Sequence, residues 1–236
     1  METSALGRLV SVLVAPAKTF QAIKEKPTWL LAVVALIIVG VITTALISGK
    51  IDYPEMIRDS IEAQGRDVPE AQLEGIIDFY EKFGPVLSMA GLAVGVVGYL
   101  LIAVLFLVVL KLLGGEIGFA SSFSTTVHSM MPQAVKGLLS IPVILGCGNF
   151  SYVDLRSGSI LKSNLGAFAG EEIGPAMLGL LSSVDVFAIW SVSLLIIGFS
   201  IVGKVSKGTA AMATIGLWVI WILIKIGLAS LGGGFG

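Results

Sequence analysis

Trp29-Leu-Leu-Ala-Val-Val-Ala-Leu-Ile-Ile-Val-Gly-Val-Ile-Thr-Thr-Ala-Leu-Ile-Ser48 carries no charge, and its reading decides the fold. In hydrocarbon no water meets a backbone N–H or C=O, so a crossing segment satisfies its own hydrogen bonds as a helix. About 20 apolar residues are enough to span the core. The run is entered after Pro27 and left at Gly49-Lys50. Outward from it, four more stretches read as crossings: Val86 to Leu110, Phe123 to Cys147, Val184 to Val202 and Thr209 to Leu231. The second exceeds what the core needs and is expected to tilt or project. The third is the most polar, with His128, Pro132, Gln133, Lys136 and Pro142 inside it. Only Gly203 to Gly208 joins the last two, which predicts an antiparallel hairpin.

The whole chain agrees with that reading. Its 236 residues are 56% hydrophobic and 13% charged, with a mean hydropathy of +0.97, outside the balance of a soluble domain. A net charge of −1 excludes the basic face that nucleic-acid phosphates require. One cysteine, Cys147, excludes an internal disulfide and a cysteine-cluster metal site, and its apolar neighbours predict a packed thiol. One histidine cannot supply a multi-histidine metal site, so neither metal nor cofactor is expected.

Lys and Arg in short connections stay on the cytoplasmic side. Arg8, Lys18, Lys24 and Lys26 precede the first span, Lys111 opens the second connection, and Lys204 and Lys207 occupy the last. The loop from Lys50 to Lys82 has four basic against nine acidic residues, and that from Gly148 to Ser183 has two against three. These counts predict a cytoplasmic N-terminus, two outer loops and, after five crossings, an outer tail over residues 232–236. Leu9 to Ala15, followed by Pro16-Ala17, imitates a cleavable signal, but Leu6, Leu9, Val10, Leu13 and Val14 have helical spacing. Residues 1–27 are therefore expected to form a basic amphipathic segment in the cytoplasmic interface, with Phe20 and Ile23 continuing the contact after Pro16. Residues 28–231 form the membrane domain.

The outer loops exceed simple turns. Residues 54–63 and 69–83 each gather apolar side chains on one helical face, which predicts two short amphipathic helices split by Gln64-Gly-Arg-Asp67. The second loop holds Asn164 to Phe168, then Glu171-Glu172, then Gly174-Pro175 and an apolar stretch placed to dip back into the membrane.

Ionisable groups inside a bilayer are costly, which makes them candidate functional residues. His128, Pro132 and Lys136 are four residues apart, on one face of a single third helix, where they would line a polar path or a headgroup groove. The competing reading has Lys136 pairing with a carbonyl or an acid for packing alone. Asp185, at the entrance of the fourth span, suits the helix dipole, and Ser182-Ser-Val-Asp185 reads as a capping-box variant. Gly91, Gly95 and Gly98 give the second helix a smooth face for close packing, within the chain or with a partner. Lys225 is near enough to a helix end to snorkel, and Glu116 sits in a cytoplasmic turn. No phosphate loop, His-Glu-x-x-His, Gly-x-Ser-x-Gly or Cys-x-x-Cys motif occurs, so the protein is not expected to be an enzyme.

Three passages resemble the Yip-one family, the Ypt/Rab-interacting five-span membrane proteins, and more closely its prokaryotic branch. Ala15 to Trp29 looks like the family's "P-x-x-x-F-x-x-I … P-x-W" approach to the first span, and Asn164-Leu-Gly-Ala-Phe168 is similar to a recurrent outer-loop element. Ser183 to Trp190, followed by Leu194-Leu-Ile-Ile-Gly198 and the lysines at 204 and 207, looks like its "D-x-F-x-x-W … L-x-x-x-G" fourth span and lysine turn. The resemblance implies a five-helix membrane fold without agreed enzymatic chemistry. Eukaryotic members act with Rab GTPases, and some bacterial ones accompany ABC-type exporter components. The short segment before the first span argues against a Rab-type partner. The expectation is a non-enzymatic accessory or scaffold protein of a prokaryotic cytoplasmic membrane, whose partners are lipid and other membrane proteins, exporter subunits among them. The alternative is a small permease or lipid-moving protein that uses the polar third helix.

Overall fold

The computed structural model describes residues 4–63, 65–150, 152–158, 160–169 and 173–230. Gln64 of the expected loop, Glu171-Glu172, Leu231 and the expected tail 232–236 lie outside the described residues. The protein is an all-α polytopic membrane protein. Its helices are α1 (Ala5–Val14), α2 (Pro16–Glu25), α3 (Leu30–Ser48), α4 (Tyr53–Ala63), α5 (Glu70–Leu112), α6 (Phe119–Ser129), α7 (Met131–Gly146), α8 (Tyr152–Ser157), α9 (Pro175–Ser183), α10 (Val186–Val202) and α11 (Lys207–Ser230). A 3₁₀ turn spans Leu165–Phe168, and only isolated bridges, Ile51 with Phe150 and Asn164 with Asp185, occur among the described residues.

Among the described residues three helices have the length and composition to cross a bilayer: α3, α5 and α11 over Lys207–Gly227. The fourth expected span is α10, apolar but only 17 residues. Two expectations are corrected. The separate outer helix and the second span are one continuous helix of 43 residues, α5, with Pro85 inside it. At 1.5 Å per residue it is about 65 Å long, twice a hydrocarbon core. Beside Pro85 the Ser88 hydroxyl donates to the Gly84 carbonyl at 2.9 Å, an extra bond within the turn that the proline interrupts. The third span, expected as one helix from Phe123 to Cys147, is two helices that part at Met130. Pro132 is the cause: its ring opposes the carbonyl four residues back and its nitrogen has no proton, so it is tolerated in the first turn of a new helix and not within an old one.

The described chain forms two compact units, one of residues 1–39, 94–136 and 186–221 and the other of residues 40–93, 137–185 and 222–236. In the first, Ser4 accepts the Gly7 N–H at 3.1 Å and starts α1; Pro16 at the first position of α2 starts the next helix. The Ser11 and Thr19 hydroxyls, 2.7 Å apart, tie the two into a hairpin. Helix α10 packs on α2 and α6, and α1 also reaches α6. Phe20 and Ile23, expected at the lipid interface, are instead fully buried there with Val12, Val127, Leu194 and Phe199. The face of α1 that stays exposed is Leu6, Val10 and Val14, whereas α2 exposes Lys18, Lys24 and Glu25. Glu116 and Lys204 join two connections at 2.6 Å, and the lysine holds the Glu116 carboxyl below the usual carboxylate range.

The second unit holds a satellite core. Ile57 of α4 and Leu73 and Ile77 of α5 bury one another, with Arg58 and Glu70 paired at 2.9 Å on the exposed side. Lys50 donates to the Cys147 carbonyl, and the Phe150 N–H donates to the Lys50 carbonyl at 2.9 Å.

Candidate functional site

Helix α6 reads Phe-Ala-Ser-Ser-Phe-Ser-Thr-Thr-Val-His-Ser, and every residue from Ser122 to Ser129 is buried. A helix enclosed on all sides is ordinarily apolar, so this run of hydroxyls needs its acceptors found. Two have them: Ser122 donates to the Ala103 carbonyl of α5 at 2.7 Å, and Thr125 to the Ser121 carbonyl one turn back at 2.8 Å. Among the described residues the hydroxyls of Ser124, Thr126 and Ser129 have no partner, nor has that of Thr214 on α11. A buried polar group left so costs about 1–3 kcal/mol.

His128, 1% exposed, stands in the last turn of α6. Its Nδ1 lies 2.8 Å from the Ser124 carbonyl, which can only accept, so the proton is on Nδ1. Nε2 is buried without a partner among the described residues. Arg8 of α1, 4% exposed, lies within electrostatic reach of this imidazole. Its Nη1 donates to the Lys26 carbonyl at 2.7 Å and to the Thr28 hydroxyl at 3.0 Å, while its Nε is buried without a partner among the described residues. Among the described residues no carboxylate pairs with Arg8. The cluster thus joins a permanent cation, a titratable ring and free hydroxyls around α6.

The expected face of His128, Pro132 and Lys136 on one helix is not formed. Met130 adopts φ −86° and ψ 0° and closes α6, so His128 ends one helix while Pro132 and Lys136 belong to the first turns of α7. Lys136 is half-buried, and Gln133 beside it donates to the Ser191 hydroxyl of α10 at 3.3 Å.

Asp185 directly precedes α10 and is 5% exposed. Its carboxylate accepts the Ser163 hydroxyl at 2.5 Å. The expected capping box does not form, because Ser182 and Ser183 are the last turn of α9 and donate to the Gly179 carbonyl at 3.1 and 2.7 Å. Asn164 caps the 3₁₀ turn, accepting from Ala167 N–H at 3.0 Å and donating to the Gly158 carbonyl at 3.1 Å. The Leu165 N–H reaches the Val184 carbonyl at 3.2 Å, which seats the whole turn on the α9–α10 junction. Lys225 donates to the Ser182 hydroxyl at 3.1 Å. These groups have protein partners, so the arrangement is a clasp that fixes the outer loop.

Among the described residues nothing lies within 4 Å of where a Cβ would stand at Gly91, Gly95 or Gly98 on α5. Close packing of α3 on α5 uses Gly40, where a Cβ would meet the Leu92 side chain at 2.6 Å. Cys147, expected as a packed thiol, is exposed, because α7 ends at Gly146 and releases it.

Sequence reasoning placed His128 but missed Arg8 as its neighbour. The available signal was one guanidinium in the apolar run Leu6 to Val14, on the face opposite the exposed residues. No sequence rule would have shown which hydroxyls of Ser121 to Ser129 lack acceptors, since that depends on where α1, α5 and α10 lie.

The family model described as the Yip1 domain matches residues 10–229. A curated relative, membrane protein YknW of Bacillus subtilis (strain 168), is 28% identical over 226 residues, covering 92% of this chain and 88% of that protein. No solved structure matches.

Proposed function

The chain belongs to the Yip1 domain family, and from that premise we propose that it is a non-enzymatic accessory or scaffold protein of a prokaryotic cytoplasmic membrane. It binds other membrane proteins through its helix faces, an ABC-type exporter being the partner of choice. Its N-terminus is cytoplasmic, its two long loops face outward, and five crossings leave the tail outside, as the Lys and Arg distribution favours. The observation that carries this reading is the open stripe of Gly91, Gly95 and Gly98. Helix association in lipid has no hydrophobic drive and depends on close backbone approach, so a smooth unfilled face is where a partner helix packs best. The absence of enzyme motifs is consistent with it.

Crosslinking in native membranes, followed by affinity capture and mass spectrometry, tests the proposal. The expected result is a defined transporter or scaffold partner with the wild type and its loss with Gly91→Leu/Gly95→Leu, at unchanged abundance in the membrane. Among the described residues nothing lies within 4 Å of where either Cβ would stand, so the substitutions are expected to leave its own fold intact. Recovery of the protein alone, or a partner retained by the variant, overturns the reading.

A second reading has its own observation behind it. The unpartnered hydroxyls of α6 and the half-buried Lys136 are groups that a permease or lipid-moving protein would place along a path. Purified protein in vesicles then transports a solute or lipid, with at least a tenfold loss in Lys136→Ala, a factor of about 1.4 kcal/mol. Flux no higher than in empty vesicles removes it.

A further inference from the structure

The N-terminal hairpin and α6 meet through a contact that neither side satisfies. Arg8 and Val12 of α1 and Phe20 and Ile23 of α2 are buried, and both helices pack on α6. In that contact Arg8 Nε and His128 Nε2 are closed off from solvent without partners among the described residues. With His128 neutral, Nε2 is an unpaired acceptor. With His128 protonated, the interface would hold a second buried cation within reach of Arg8.

Apart from the Ser124 carbonyl on Nδ1, no described acidic side chain of α1, α2, α6 or α10 is buried beside the ring to offset that charge. Helix α10 has no ionisable residue, and the charged residues of α2, Lys18, Lys24 and Glu25, are on its exposed side. Tyr99 is the ionisable group that α5 packs against this core. Burying a charge without a counter-ion is far more costly than exposing it, so a proton on His128 favours any arrangement that admits water to the ring. The hairpin is set off from the first span by the non-helical stretch from Lys26 to Trp29, which is where it would hinge. The Arg8 bonds to Lys26 and Thr28 lie within that N-terminal segment and travel with it.

We propose that the N-terminal hairpin is a proton-released latch: α1 and α2 seat on α6 while His128 is neutral and lift from it when His128 takes a proton. Acidification at the cytoplasmic face then uncovers the hydroxyls of α6. This is independent of whether the glycine stripe binds a partner.

Hydrogen–deuterium exchange of the whole protein in phosphatidylcholine nanodiscs tests it, with protection factors corrected for the intrinsic pH dependence of amide exchange. For one proton taken up in the open state near the ordinary imidazole value of about 6.5, protection of residues 5–25 and 119–129 falls about tenfold between pH 7.5 and 5.5. In His128→Gln the fall is absent. Equal protection at both pH values in the wild type overturns the latch, and so does a full response retained by His128→Gln. Should that variant fail to accumulate, His128→Asn decides: a pH response retained without the imidazole overturns the proposal.

Discussion

Gly198→Val is expected to prevent stable folding, with a loss of about 3 kcal/mol, read as the collapse of monodisperse protein in mild detergent. A Cβ at this position in α10 would stand 2.7 Å from Cγ2 of Thr125 and 2.8 Å from Cε1 of Phe20. Both neighbours are fully buried, so neither side chain has space to swing into. The two sit on different helices, α6 and α2, and relief on one side tightens the other. Overpacking of this kind typically costs about 1–3 kcal/mol, and a β-branched side chain at the crossing of three helices belongs at the upper end. The companion measurement is Gly198→Ala with and without Phe20→Leu. The single substitution lowers the unfolding midpoint, and the shortened neighbour restores part of it. Unchanged stability in Gly198→Val would mean that α10 does not approach the hairpin this closely.

That crossing also shows what the sequence made legible. Gly198 was visible as the end of the Leu194 to Gly198 element, and the structure supplies the reason for glycine there: it admits Phe20, a residue of another quoted passage, against the α10 backbone. Similarly, Asn164 to Phe168 and Ser183 to Asp185 were seen as separate elements and meet through the Asp185–Ser163 and Leu165–Val184 bonds. Apolar runs were readable because hydrocarbon imposes length and hydropathy on a helix irrespective of its neighbours. Proline was ambiguous. Pro85 lies within a continuous α5 and Pro132 starts a new helix, and the local rule alone does not separate the two, since the choice depends on whether surrounding groups compensate the lost bond. Burial was least legible. Phe20 and Ile23 have the spacing of a lipid-facing stripe, but α10 and α6 are equally apolar surfaces, and composition does not distinguish a protein neighbour from lipid.

The same equivalence of lipid and core sets the size of the effect expected for Phe199→Ala. Phe199 is fully buried, and its ring stacks on Phe106 with centroids 4.2 Å apart and 22° between planes. In a soluble protein such a truncation costs about 3–5 kcal/mol, part from lost transfer out of water and part from the cavity left behind. Where the unfolded helices remain in lipid, much of the transfer part disappears while the cavity part stays, so the expected loss is about 3 kcal/mol, the lower end. The stack itself is resolved by a double-mutant cycle in SDS-titrated mixed micelles. Phe106→Ala and Phe199→Ala together cost less than their sum by about 0.5–1.5 kcal/mol, the coupling of one aromatic pair. Additive losses would remove the pairing while leaving two buried rings. Negligible single losses would place Phe199 at the lipid boundary and dissolve the contact between α5 and α10 on which this core depends.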